Sequence, residues 1–223
     1  MENSAHAVLA AWTYRHGVLM MAGLAAVVAG APMTTIAALA ALSFGVLTYE
    51  FRTGWTPSGA YGWANLITAC RFLLVGLLLW YGLRMPLLAV GLAIAVLLLD
   101  GIDGWQARRS GSSSAYGSCL DREVDAFFTL ALCLALYHSD RFGPWILIPG
   151  AMRYVFVVFI HVAAPPMKQE RATRWSRASG ALALGSLIAC LLPLGVWGVW
   201  IGGIATAVVV ASFSRSFWRL YQD

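Results

Sequence analysis

The chain has 223 residues, 60% of them hydrophobic and 11% charged, with a mean hydropathy of +0.74 and a formal net charge of +5 at pH 7. Soluble domains carry about a quarter charged residues, so this composition excludes a soluble α/β enzyme and points to a chain with lipid as its solvent. In that setting the positive charge reports membrane topology, and nucleic acid is excluded as a partner.

Crossing a bilayer takes about 20 apolar residues, and without water the backbone must bond within its own segment. The long, unalternating apolar runs therefore select helices over barrel strands. Runs bounded by turn residues predict helices near 17–31, 33–49, 64–83, 86–108, 119–138, 143–164, 178–193 and 195–214. Gly30-Ala31-Pro32 separates the first two; merging them gives a seven-helix alternative whose first helix, about 50 Å long, overshoots a bilayer. A cleaved leader ending near Ala29-Gly30-Ala31 is discounted, because another apolar run follows at once. Gly54, Pro57, Gly59 and Gly62 break the chain over 50–63. The expected fold is an all-α integral membrane protein of about eight helices. A six-helix transmembrane catalytic core occupies 64–223, and an extra N-terminal hairpin with a juxtamembrane segment, 1–63, is expected to be an appendage.

With the N-terminus inside, twelve Lys and Arg fall on one side of these spans, among them Arg52, Arg108, Arg122, Lys168 and Arg219, against Arg84 and Arg141 on the other. That bias expects a multi-pass protein of a bacterial inner membrane with both termini in the cytoplasm. Trp55, Trp63, Trp145, Trp197, Trp200 and Trp218 lie near predicted span ends, as interfacial anchors do. Cys70, Cys119, Cys133 and Cys190 show no Cys-x-x-Cys spacing and read as packing residues. The four histidines form no zinc motif.

Half of the acids of the chain, Asp100, Asp103, Asp121, Glu123 and Asp125, fall within 100–125. Carboxylates near a membrane are costly unless paired or metal-bound. Asp100 and Asp103 are three residues apart and Asp121 and Asp125 four, so each pair projects from one helix face. Across the short 109–118 loop the two helices are expected to run antiparallel and adjacent, which brings four carboxylates together. Hard oxygen ligands without Cys or His select Mg²⁺, Mn²⁺ or Ca²⁺, and four carboxylates suit two such ions flanking a phosphorus centre. Glu123 points elsewhere on its helix and reads as solvated or structural. Arg153, about ten residues into its span, reads either as a ligand for a phosphate-bearing acceptor or as one half of an ion pair. The basic loop 165–177, with Lys168, Arg171, Arg174 and Arg177, divides between an acceptor pocket and contact with anionic lipid.

The stretch 100–125, DGIDGWQARRSGSSSAYGSCLDREVD, reads D-x2-D-G-x2-A-R-x8-G-x3-D-x3-D. It resembles the signature of the CDP-alcohol phosphotransferases at all eight specified positions. Asn65, Thr68 and Arg71 resemble the N-x-x-T-x-x-R opening of that family's first core helix; the resemblance does not cover 1–63. It implies Asp100, Asp103 and Asp121 as ligands of two Mg²⁺ or Mn²⁺ ions, with Asp125 both ligand and general base. It implies Gly104, Ala107, Arg108 and Gly117 as contacts of the cytidine diphosphate, Asn65, Thr68 and Arg71 beside them, and Arg153 on the acceptor side. For Gly117 a tight entry into the next helix stands as the alternative. The implied reaction moves a phosphoalcohol group from a CDP-linked lipid, CDP-diacylglycerol foremost, to a small alcohol acceptor, in a cytoplasm-facing site of a homodimer. Gly101, Trp105 and the context L-D-R-E-V-D depart from the better-known branches and leave the acceptor open.

Two other classes compete. A divalent cation transporter would place its carboxylates at mid-membrane and gives Gly104, Ala107, Arg108 and Gly117 no role. An intramembrane prenyltransferase needs a second acidic motif, and Glu2, Glu50, Asp140, Glu170 and Asp223 form none.

Overall fold

The computed structural model describes residues 2–81, 85–110, 114–163 and 174–219, without the side chains of 2–5, 103–105, 107–108, 110 and 174–177. Arg84, Lys168 and Arg171 lie outside the described residues. Eight α-helices and one 3₁₀ turn form among those described, with no strand: α1 Glu2–Val28, α2 Thr34–Glu50, α3 Trp63–Tyr81, α4 Pro86–Ser110, α5 Ala115–Tyr137, the turn Pro144–Leu147, α6 Ile148–Ala163, α7 Arg174–Cys190 and α8 Val196–Arg219.

Helix ends follow local chemistry. Gly30, at φ 104°, and Pro32 end α1 and reverse the chain into α2. Pro86 opens α4, where its missing N–H is no loss. Ser114, extended, caps α5 by accepting a hydrogen bond from the Gly117 N–H at 2.9 Å. Three stretches are long and apolar enough to cross a membrane, Trp63–Tyr81, Pro144–Ala163 and Val196–Arg219, and Thr34–Glu50, Pro86–Ile102 and Ala178–Cys190 are shorter apolar helices.

Large apolar side chains lie outside as well as in the core: Leu73, Leu87, Val162, Trp197 and Trp200 are exposed on outward faces, while Asn65, Thr68, Arg71 and Glu123 are buried. Such an apolar exterior with polar groups enclosed inside suits lipid. At the centre lies α5, buried on all sides from Val124 through Leu136 apart from Asp125 and Thr129. It packs against α3, α6, α7 and α1.

Three expectations need correction. First, α1 begins at Glu2 instead of near residue 17, so Arg15 lies mid-helix and exposed; the polar start of the helix concealed it from a reading of apolar runs. Second, among the described residues α4 and α5 do not pack along their length: α3 packs against both and reaches between them at the carboxylates. A short loop fixes only that two helix ends are near, and a third helix fits between them. Third, the N-terminal hairpin is knit into the bundle and is not an appendage. Gly17 brings α1 against α6, Tyr14 stacks on His161 with centroids 3.8 Å apart, and the Trp12 indole donates to the Ser43 carbonyl at 3.1 Å. Cys119, Cys133 and Cys190 are buried packing residues; Cys70 is exposed.

Candidate active site

The site forms where the C-terminal part of α4 meets the first turns of α5 across α3. Asp100 comes from α4, Asp121 and Asp125 from successive turns of α5, and Arg71 from the middle of α3. One carboxylate oxygen from each of the three aspartates lies within 4.8 Å of the others. The Arg71 guanidinium bridges them: Nη1 is 2.6 Å from Asp121 Oδ1, Nη2 is 2.8 Å from Asp100 Oδ1, and Nη2 also pairs with Asp125. The planar fork of arginine suits this shared contact, which a lysine point charge does not match. Arg71 is 1% exposed, while the aspartates are 39%, 41% and 49% exposed, so the cation is buried behind carboxylates that face the cleft.

Among the described side chains, three carboxylates face one arginine, so acidic groups outnumber the cation. Hard oxygen donors with residual negative charge, open on one side, fit divalent cations such as Mg²⁺ or Mn²⁺. Asp103, Gly104, Ala107 and Arg108 lie on α4 in this region, and their side chains are outside the described residues.

Two cavities meet at Asp125. The larger, about 390 Å³, has Arg71, Asp100 and Asp125 at its polar end and Leu97, Phe128 and Leu184 on its walls. The smaller, about 200 Å³, joins Asp125 and Thr129 to Arg122, Arg153, Gly150 and Phe213. Arg153 forms an ion pair with buried Glu123 and is itself 24% exposed, so the two readings of Arg153 describe one side chain that is paired and also lines a cavity. Glu123 is structural.

The segment 51–62 clamps the starts of α3 and α5. The Asn65 side-chain amide donates to the carbonyls of Tyr61 at 2.6 Å and Trp55 at 3.3 Å, and the Ser114 hydroxyl donates to the Trp55 carbonyl at 2.7 Å. A Cβ at Gly117 would lie 2.7 Å from Asn65 Oδ1, so here glycine permits the approach of α5 to α3, which is the tight-entry reading. Thr68 is buried and donates to the Ala64 carbonyl at 3.1 Å. Burial raises the Tyr61 phenol above its usual range and keeps it neutral.

Reading the sequence missed two contributors. Thr129 lines both cavities and stands one turn past Asp125, which extending the four-residue spacing finds. Gly180 lines both from α7, and no motif marks it. Arg71 was read as a nucleotide contact; its placement among the aspartates depends on α3 lying between α4 and α5.

The model of the family described as CDP-alcohol phosphatidyltransferase matches residues 61–212. The chain belongs to the CDP-alcohol phosphatidyltransferase family. The match runs from the end of the juxtamembrane segment into α8 and so includes the described carboxylates and all the lining of both cavities except Phe213. No curated protein and no solved structure matches the chain. A CDP-alcohol phosphatidyltransferase is a membrane transferase of phospholipid biosynthesis that moves a phosphatidyl group from a CDP-alcohol.

Proposed function

We propose that this CDP-alcohol phosphatidyltransferase transfers the phosphatidyl group of CDP-diacylglycerol to the hydroxyl of a small, phosphate-bearing alcohol and releases CMP. The observation that carries the reading is that Asp125 borders both the carboxylate cleft and the cavity lined by Arg122 and Arg153.

Asp100, Asp103, Asp121 and Asp125 would hold two divalent ions, Mg²⁺ or Mn²⁺. When bound, the ions neutralise the diphosphate and the charge that develops on the leaving CMP. Arg108 pairs with the diphosphate, and Gly104 and Ala107 leave room for the cytidine. Arg71 fixes the rotamers of the three aspartates it touches, so the carboxylates are oriented before substrate arrives. Arg153 and Arg122 draw the acceptor phosphate into the smaller cavity. The acceptor oxygen then lies beside Asp125, which takes its proton as that oxygen attacks the phosphorus bearing the diacylglycerol. The bond from that phosphorus to the bridging oxygen breaks, and the oxygen leaves with CMP. The apolar walls of the larger cavity, Leu97, Phe128 and Leu184, suit the glycerol end of the lipid donor. The reading also takes the protein as a homodimer of the bacterial inner membrane, with 64–223 as the catalytic core, 1–63 supporting it, and the site open to the cytoplasm.

The test measures CMP release from CDP-diacylglycerol in detergent with Mg²⁺, offering glycerol phosphate, inositol phosphate, inositol, serine and glycerol in turn. Release is expected with a phosphorylated acceptor only. Release supported by inositol or serine while both phosphorylated compounds stay inert removes the acceptor half of the proposal. No release with any acceptor, with or without metal, removes the donor half.

A further inference from the structure

Four buried polar atoms at one junction of the bundle have no hydrogen-bond partner among the described residues: His16 Nε2 on α1, Glu123 Oε2 on α5, and Arg153 Nε and Tyr154 Oη on α6. Their residues adjoin one another. Glu123 and Arg153 form an ion pair, and Arg153 precedes Tyr154 in the chain. The His16 and Tyr154 rings lie edge to face with centroids 5.9 Å apart. Gly17, beside His16, seats α1 on α6: its Cβ position lies 3.7 Å from the Tyr154 carbonyl oxygen. The Glu123 charge acts on both His16 and Tyr154.

Buried donors and acceptors are seldom left unmade, and several orphans at one junction mark a place where an internal water makes about three hydrogen bonds. The chemistry is complementary. Arg153 Nε donates, the free oxygen of Glu123 accepts, and the His16 nitrogen and Tyr154 hydroxyl adapt to either role. The His16 ring is itself fixed from two sides, since its Nδ1 pairs with the Ser43 hydroxyl at 2.9 Å and it stacks on Trp12 with centroids 4.8 Å apart. These contacts leave Nε2 as its one uncommitted polar atom. An apolar residue of similar shape would fill the same space without the desolvation cost of imidazole, so packing alone does not account for a histidine.

We propose that His16 and Tyr154 hold an internal water that orients the Glu123–Arg153 pair, so that the N-terminal hairpin positions Arg153 in the acceptor cavity. The chain runs from Ser43 on α2 to His16 on α1, across the proposed water to Glu123 on α5, and ends at a guanidinium that lines the cavity with Asp125. Residues outside the family match thus act on acceptor binding. His16, Ser43 and Tyr154 are positioning residues. The inference rests on Arg153 being the ligand of the acceptor phosphate.

The experiment is a double-mutant cycle on the full-length protein in detergent. CDP-diacylglycerol is the donor, and glycerol phosphate or inositol phosphate, whichever is turned over, is the acceptor probe. His16→Phe keeps the stacked ring and removes the polar atoms; Tyr154→Phe removes only the hydroxyl. Each is expected to raise the acceptor KM about five- to tenfold, with kcat and donor KM within about twofold of wild type. His16→Gln, which restores a polar atom, is expected to recover part of the loss. The double variant His16→Phe/Arg153→Gln is expected to be no worse than Arg153→Gln alone, because both act through one guanidinium. If Arg153→Gln raises the acceptor KM while His16→Phe and Tyr154→Phe leave it unchanged, the hairpin does not position Arg153 and this inference alone falls. It falls equally if His16→Phe only lowers Tm, or if its effect multiplies that of Arg153→Gln. If Arg153→Gln also leaves the acceptor KM unchanged, or neither probe is turned over by the wild type, the acceptor reading falls and takes this inference with it.

Discussion

Arg71 contributes one guanidinium to three carboxylates drawn from two other helices, and removing it leaves like charges within 4.8 Å of one another. Breaking a buried charge pair costs about 3–5 kcal/mol, and water reaching these half-exposed aspartates lowers that to roughly 1–3 kcal/mol. Arg71→Met is therefore expected to lower Tm by roughly 2–12 °C in EDTA, taking about 2–4 °C per kcal/mol for a chain of this length. Mg²⁺ is expected to restore most of the loss, because a divalent ion supplies the missing charge. Arg71→Met that melts like wild type in EDTA, or that ignores Mg²⁺, would separate Arg71 from the carboxylate charge. Asp125 tests the chemistry at the same scale. As the carboxylate shared by both cavities it is placed to take the acceptor proton, a role worth about 10²–10⁴-fold. Asp125→Asn keeps size and one ligand oxygen, so donor binding measured by calorimetry is expected to hold within a few-fold while CMP release falls at least 100-fold. Retention of a tenth of wild-type turnover would assign the base elsewhere.

Between elements, two glycines of similar appearance in the sequence do opposite things. At Gly150, on the first turn of α6, a Cβ would lie 2.7 Å from the Leu130 Cα, so a backbone must move to admit a methyl. Overpacking of this kind costs about 1–3 kcal/mol. At Gly180 on α7 a Cβ meets nothing within 4 Å, and the space it would enter is the cleft beside Asp125. Alanine is the better helix former by about 1 kcal/mol. Gly150→Ala is expected to lower Tm by several degrees; Gly180→Ala is expected to leave Tm equal or slightly higher and to cut turnover several-fold, and Gly180→Leu to abolish it. Parallel melting and CMP-release measurements decide, and a Gly180→Leu enzyme of full activity would show that substrate does not pass along α7. Neither role is visible in the sequence, because what distinguishes the two positions is the identity of the neighbouring helix. The same limit explains the placement of α3. Spacing within α5 puts Asp121 and Asp125 on one face, where both meet Asp100, since helical periodicity is local. That a third helix inserts its arginine between them is a property of packing order, which spacing does not encode.

For the whole molecule, composition was the most informative layer: 60% hydrophobic and 11% charged residues select a helical membrane protein before any motif is read. The eight elements follow from apolar runs and turn residues. The start of α1 at Glu2 does not, because its first turns, with Glu2, Asn3, Ser4 and His6, carry no apolar run. The role of the hairpin was equally hidden, since Tyr14, His16 and Gly17 acquire meaning only against α6. Arg52, Arg109, Arg122, Arg215 and Arg219 lie near the end of the bundle that bears the carboxylates, and Arg141 lies in the turn at the opposite end, which is the arrangement the proposed cytoplasm-facing site requires under the positive-inside rule. A cysteine-free variant provides the background for a test, with exposed Cys70 and buried Cys119, Cys133 and Cys190 replaced by small residues. Into it a single cysteine is returned at Ser118, exposed on the first turn of α5, or at Pro193, exposed in the turn before α8. The two positions belong to opposite ends of the bundle. A membrane-impermeant maleimide applied to intact cells whose outer barrier is open is expected to label Pro193→Cys and to reach Ser118→Cys only after the membrane is lysed. Both single-cysteine proteins must release CMP, so that labelling reports the active fold. Labelling of Ser118→Cys in intact cells, with Pro193→Cys protected until lysis, would invert the topology and place the carboxylates on the side away from the cytoplasmic pool of CDP-linked donor.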